Sequence, residues 1–494
     1  MLTKSYKQQA TGELNMFKIA PPSSSRPFID FRDDQPIPLQ ESASASASAV
    51  ATRSIAPLFS NEFKNSPSVS SFKFLGAPVQ RLIYSERWLN GGSRTYSKIS
   101  SYTEIQPKYQ PQSEVNSYSL PQPKLPKEIV HIHTASPNAQ LLANYIHEKT
   151  VLFPIHPQFY QNKEIPFMNE VVENQTDVLS TYVTPTASTR SVIVLDDKQP
   201  LHCLKLHCPA QISRFNRKLD ARDIAKSVNT SRELDRAAAH EASFPAVFGY
   251  LPESIGVSIG EGEEAWGFLL REMTPRPPAP PNANRTLLPL FSLYSLDTKD
   301  TNPDKRLLLV DLIEKSNLPP TEFILDKVML PIVESWCFMA RDLGLLTQAH
   351  GQNLLLEVGE DGIPTRVIFR DLSTYMDRQA RLDRGLSNSG FPLPGETTDP
   401  EHVLPSSSEA QKGYYSLVYD SFVGHHLFDY IAKAMSENYG VEKETLQAAC
   451  KEKFKECFPR ADHYLPAQVY YYSKDCTDGY TQTITNTGET PAWR

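Results

Sequence analysis

The segment that most constrains the fold is a polar turn that feeds an apolar hairpin. Thr347-Gln348-Ala349-His350-Gly351-Gln352-Asn353 opens directly into Leu354-Leu355-Leu356. Gly359-Glu360-Asp361-Gly362-Ile363-Pro364 reads as a turn, and Arg366-Val367-Ile368-Phe369 as the returning strand, ending at Arg370-Asp371. A hairpin brings its strand ends together, so His350, Asn353 and Asp371 should line one mouth, with Arg370 nearby. An imidazole, a carboxamide, a carboxylate and a guanidinium suit a metal-bound phosphate ester. The same four groups can also form a loop that merely satisfies itself.

The chain has 494 residues, too many for one small core, and its length fits roughly three domains or lobes. A formal charge of −7 argues against a general nucleic-acid binder. The six cysteines include no CxxC pair and no zinc-like Cys/His spacing, which fits a reducing, cytoplasmic setting. No run of about 18 apolar residues predicts a membrane span, and the first 30 residues lack the apolar core of a signal peptide.

Read in order, residues 1–60 carry little pattern, and Glu41–Ser48 is a low-complexity Ser/Ala repeat. Phe72–Pro78 reads as an isolated ordered piece, and residues 100–128, rich in Pro, Gln, Tyr and Ser, as a long loop. Residues 139–148 are expected to be helical. Phe153-Pro154-Ile155-His156-Pro157 follows as the end of a strand, with His156 more structural than catalytic.

Val192–Leu195, the turn 196–200 and Leu201–Leu206 make a β-hairpin by β-branched content and turn residues. Alternation puts Cys203, Lys205 and His207 on one face and Leu204 and Leu206 on the other. An unpaired buried ammonium is costly, so Lys205 demands either solvent or an anion. Ser188, Arg190, Lys205, Arg214 and Arg217 gather hydroxyls and cations suited to phosphate and carboxylate recognition. The alternative is a solvated basic face. Residues 256–259 and 266–273 form a further hairpin, on which Arg271 and Glu272 point to opposite faces. Five prolines in residues 274–284 exclude regular structure there and mark a lobe boundary. Helices are expected at 221–242, 307–315, 323–345, 414–435 and 441–454. The stripe Ile324, Val328, Val333, Trp336, Phe338 and Leu343 belongs to a core, and the tail from Tyr470 is expected to be irregular.

Several of these pieces, in this order, resemble the NRPS-independent siderophore synthetases of the aerobactin-synthetase-like family. They are Phe153–Pro157; Ser188-Thr189-Arg190-Ser191; Cys203–Leu206 with Ile212–Arg217; Leu270-Arg271-Glu272; Ala349–Asn353; and Arg370-Asp371. The resemblance covers residues 150–380 best. It implies an α+β, hand-like fold of thumb, fingers and palm, with an antiparallel-sheet fingers lobe and a mostly helical palm. On this chain those would be 1–128, 129–285 and 286–494. It implies an ATP-dependent ligase that makes an acyl adenylate of citrate or a related polycarboxylic acid and passes it to an amine or alcohol. It further implies magnesium and, since many relatives are dimers, a homodimer, while charge and the lack of an apolar span leave no nucleic-acid or membrane partner expected.

By motif, Ser188, Arg190 and Ser191 would touch ATP phosphates, with Arg214 beside them. Lys205 and Arg217 would bind phosphate and the carboxylate substrate, and would be catalytic with His350. His350, Asn353 and Asp371 would complete the nucleotide site, with Asn353, Asp371 and Gln348 toward the metal. Ser191 stands where the family usually has Thr, and Gln348 where it typically has Glu. The family's N-terminal Gly-His-Pro segment is not recognisable, although Gly76-Ala77-Pro78 could be its relic. Gln468 stands near the position of a family lysine. Two other readings compete: a non-catalytic relative that only binds, and a kinase-like phosphotransferase. The second lacks the acid such enzymes carry in the His-containing loop.

Overall fold

The computed structural model describes residues 76–90, 103–113, 117–212, 215–240, 244–279, 285–388, 408–472 and 484–494. The Ser/Ala repeat, residues 72–75 and Arg214 lie outside the described residues. Strands β1 (Tyr118–Pro126), β2 (Val130–Thr134), β3 (Thr150–Leu152), β4 (Asp177–Pro185), β5 (Ser191–Val194) and β6 (His202–Leu206) come first. The hairpin β7 (Cys208–Ile212) and β8 (Phe215–Arg217) follows, then β9 (Phe248–Tyr250), β10 (Glu253–Ile259) and β11 (Trp266–Glu272). The last strands are β12 (Thr286–Pro289), β13 (Leu345–Leu346), β14 (Leu354–Val358), β15 (Pro364–Phe369), β16 (Tyr375–Met376), β17 (Tyr470–Tyr472) and β18 (Ile484–Asn486).

Eight strands form one antiparallel sheet in the order β2-β10-β11-β6-β5-β4-β1-β3. The loop expected over residues 100–128 is corrected here, because β1 lies inside this sheet. Its prolines hid it. Pro121 and Pro123 have no N–H, but their carbonyls accept from Ile155 and Phe153 at 3.1 and 2.9 Å. That side of the strand needs only acceptors, which leaves the N–H groups of alternate residues for β4.

A second sheet, β12-β14-β15-β9, carries the polar turn. Its β9 pairs in parallel with Val367–Phe369 of β15, so the sheet joins segments from both sides of the proline-rich stretch. The two sheets meet through one apolar cluster. Ile193, Leu195 and Cys203 come from the large sheet, Leu355 and Ile368 from the small one, and Leu82 and Ile83 from helix Ala77–Trp88. The opposite face of the large sheet buries Val192, Val194, Leu204 and Leu206 in a separate core, as the alternation requires. Gly76-Ala77-Pro78 is the entry to that helix, with proline in the first turn where its missing N–H costs nothing.

Beyond Pro289 a large core gathers the helices. The run from Pro320 to Asp342 is helical throughout, with wider turns at Leu325–Met329 and Phe338–Asp342, and its expected stripe lies in that core. Similar wider turns occupy Leu417–Phe428 between Ser408–Ser416 and Asp429–Tyr439. The tail is corrected in part: among its described residues two short strands form. β17 pairs with β18, and Tyr470, Tyr471, Tyr472 and Trp493 enter the helical core, because their rings gain more from burial than their hydroxyls lose. Among the described residues no helix is long and apolar enough to cross a membrane.

Candidate active site

Strand β6 and the turn after β15 meet through Lys205 and Asp371. Lys205 sits in β6, opposite Ser191 on one side and Leu269 on the other. Its side chain is buried, so it requires a counter-charge, and Asp371 supplies one: Lys205 Nζ pairs with Asp371 Oδ1 across 166 residues of sequence. The choice left open by the sequence, solvent or anion, is thus an anion from the chain itself. Asp371 has φ 64°, a left-handed backbone uncommon outside glycine. Burial pushes its carboxyl up, but Lys205, Arg271 and Arg190 outweigh that and hold it well below the usual carboxylate range.

The polar turn is tied together by its own backbone. Asn353 N–H donates to the His350 carbonyl at 2.9 Å, and Arg370 N–H to the Asn353 carbonyl at 2.9 Å. Arg370 Nε donates to the Gln352 carbonyl at 2.7 Å. Gly351 is required by space, since a Cβ there would lie 2.0 Å from Tyr294 Oη. His350 Nδ1 accepts from Gln352 N–H at 3.2 Å, which leaves Nε2 carrying the proton. Burial, with Arg217 and Arg370 nearby, pushes His350 down to about 4 despite the opposing pull of Asp371. It is therefore neutral at pH 7.

The Ser188 loop enters through β5, where Ser191 lies opposite Lys205. Ser188 Oγ accepts from Ser191 N–H at 3.1 Å, and Thr186 Oγ1 donates to the Ser191 carbonyl at 2.8 Å. Thr189 takes φ 65° at the tip. Arg190 leaves this loop and donates through Nη1 to the carbonyls of Arg217 and Lys218 at 3.0 and 2.9 Å. Arg217 lies over the Phe215 ring, 5.5 Å from its centroid, and its charge reaches His350. The structure thus brings together Ser188, Arg190, Ser191, Lys205, Arg217, His350, Asn353 and Asp371. Gln348 is half-buried beside them; its carbonyl accepts from Asn353 Nδ2 at 3.0 Å. Gln468 is exposed and bonds Gly488 and Asn486.

Three comparisons bear on this arrangement. The IucA / IucC family model matches residues 107–295. A second model, described as ferric iron reductase FhuF-like transporter, matches residues 330–470. Over residues 107–295 the chain is thus similar to the IucA / IucC family. No curated protein matches. Among solved structures, ATP-bound aerobactin synthetase IucA from Klebsiella pneumoniae is similar at TM-score 0.62 and 15% identity, covering 86% of this chain and 78% of that one. The petrobactin biosynthesis protein AsbB from Bacillus anthracis is similar at TM-score 0.63 and 14% identity, covering 89% and 82%. Aerobactin synthetase IucC from Klebsiella pneumoniae follows at TM-score 0.56 and 17% identity, covering 78% and 71%. The chain therefore shares the fold of these synthetases over most of its length.

Sequence reasoning missed two residues that border the site. Glu86, in helix Ala77–Trp88, reaches Arg370. Glu253, the first residue of β10, reaches Arg271 at 2.5 Å. One signal existed for Glu86, which lies four residues after Leu82 and hence on the same helix face.

Proposed function

We propose that this chain is an ATP-dependent ligase, which adenylates a carboxylate of citrate or a related polycarboxylic acid and transfers the acyl group to an amine or alcohol. A carboxylate oxygen of the acid attacks the α-phosphorus of ATP and pyrophosphate leaves. The nitrogen or oxygen nucleophile then attacks the acyl carbon, loses its proton, and expels AMP. No side chain forms a covalent intermediate.

The single observation that supports this reading is the gathering of cations on two side chains: Lys205, Arg271 and Arg190 act on Asp371, and Arg217 acts on His350. The approach of two anions is the hard part of adenylation, and fixed cations around both supply orientation and charge stabilisation. Ser188, Arg190 and Ser191 would bind phosphate oxygens; Ser188 Oγ and the backbone of this tight loop suit that task. Lys205 and Arg217 would hold the α-phosphate and the attacking carboxylate. His350, kept neutral, would donate from Nε2 to an oxygen of the intermediate.

The donor set suits a magnesium ion that arrives with nucleotide. Among the described residues no cluster of three or more His, Cys, Asp or Glu could hold a metal ion. Magnesium typically takes one or two carboxylates and completes its shell from phosphates and water. Asp371 and the Oδ1 of Asn353, whose Nδ2 is occupied, would provide that minimum, with Gln348 the weaker neighbour. Bound there, magnesium would offset triphosphate charge and assist the departure of pyrophosphate.

ATP–pyrophosphate exchange across a panel of polycarboxylic acids tests the reading. The expected result is acid-dependent incorporation of label into ATP. Binding of ATP with no response to any acid would instead favour a non-catalytic relative, a reading that Gln348 and the self-neutralised Lys205–Asp371 pair favour.

A further inference from the structure

We propose that Glu86 and Glu253 are positioning residues that clamp the Asp371 turn from its two sides. The role rests on the adenylation reading, in which the placement of Asp371 matters to catalysis.

The residues on either side of Asp371 are each held by a buried glutamate from a distant element. On one side, Arg370 Nη1 pairs with Glu86 Oε1. On the other, Leu372 N–H donates to Glu253 Oε2 at 3.1 Å. Each glutamate has a second donor. Glu86 Oε2 accepts from Ala187 N–H at 3.0 Å, next to Ser188. Glu253 Oε1 accepts from Arg271 Nη2 at 2.5 Å, and the Arg271 charge reaches Asp371. Neither glutamate is exposed.

Between these anchors the backbone of Asp371 sits at φ 64°. A non-glycine residue holds such a conformation where its surroundings over-determine it. Here the determinants come from three separate stretches: helix Ala77–Trp88, the start of β10, and the Ser188 loop that Glu86 grips with the same carboxylate. One side chain thereby fixes the spacing between the proposed phosphate loop and the Asp371 turn. All four donors are N–H groups. Only a carboxylate offers two acceptors without a donor of its own, so glutamine must turn its NH2 toward one of them. Aspartate keeps the charge but is one methylene too short to span both.

The test uses the full chain carrying Glu86→Gln or Glu253→Gln. Amide hydrogen exchange should speed up at least about tenfold at Leu372 in Glu253→Gln and at Ala187 in Glu86→Gln. In acid-dependent pyrophosphate exchange, well below the melting temperature, kcat should fall about tenfold or more in both, with a smaller change in the KM for ATP. Glu86→Asp and Glu253→Asp should fail to rescue kcat. If the glutamine variants do not fold, the aspartate variants carry the same two readouts. Unchanged amide exchange and unchanged kcat in folded variants, with only a lowered Tm, would overturn the proposal. A wild-type chain that shows no pyrophosphate exchange would sink the adenylation reading instead, and amide exchange at Leu372 and Ala187 would still decide the clamp.

Discussion

Two carboxylates in this molecule, Asp420 buried and Asp371 half-buried, each face cationic partners, yet their chemistry diverges. Asp371 is surrounded by Lys205, Arg271 and Arg190, and is held below the usual range although burial opposes this. Asp420 has Arg494 at 2.8 Å and Ser416 Oγ at 2.6 Å, and burial still wins: its carboxyl is raised. One guanidinium and a hydroxyl suffice to tie the tail to the helical core. Around Asp371, Lys205 pairs with Asp371 itself and Arg271 with Glu253, while Arg190 bonds to carbonyls and adds a further positive charge. In the proposed function an external anion meets that charge, while the Asp420 pair is a structural fastening.

Removing Lys205 should break this comparison most strongly. Lys205→Ala should lower acid-dependent pyrophosphate exchange by about a hundredfold or more, as loss of a fixed charge in such sites does; turnover near the wild-type rate would remove Lys205 from the site. Arg494→Met should do the reverse. It leaves Asp420 buried without its cation and should cost about 3 kcal/mol of stability, read by denaturant melts, with pyrophosphate exchange at low temperature unchanged.

The histidines sharpen the contrast through pH. His156 and His202 are pushed down to about 4 by burial, as His350 is, and His207 to about 3. A depressed imidazole is neutral when folded, so the unfolded chain binds more protons below about 6.5. Stability should therefore fall as pH drops from about 6.5 towards 4. His425 goes the other way. Burial lowers it, but Asp429 and Glu489 lift it to about 9, so its contribution is full below about 6.5 and lost as pH rises through 9. Melting temperatures across pH 4–10 should peak between these limbs, and His425→Gln should flatten only the alkaline one. The smallest expected effect is at the metal side: Gln348→Glu should lower the magnesium concentration for half-maximal exchange about threefold, by adding a carboxylate.

Legibility in the sequence followed the physics of each segment. The hairpins β5–β6, β10–β11 and β14–β15 were readable because β-branched residues and turn glycines announce themselves. The face of β6 could be assigned because a lysine among apolar neighbours forces a choice, but the alternation stops at His207, whose ring lies 4.7 Å from that of Trp266 in the opposite core. β1 was unreadable because three prolines mimic a loop, and only its neighbours reveal that one edge needs acceptors alone. The tail was unreadable because tyrosines look polar in a list and behave as apolar rings in a core. Glu86 and Glu253 were missed for a different reason. Their partners Arg370 and Leu372 lie 284 and 119 residues away; the spacing from Leu82 shows which helix face Glu86 shares, but carries no trace of a donor that distant.

The most direct test is a crystal structure of the chain with ATP, magnesium and a polycarboxylic acid. The account predicts the triphosphate between the Ser188 loop and the Asp371 turn, with its α-phosphate against Lys205. Nucleotide bound elsewhere, with the Lys205–Asp371 pair intact and shielded, would contradict it.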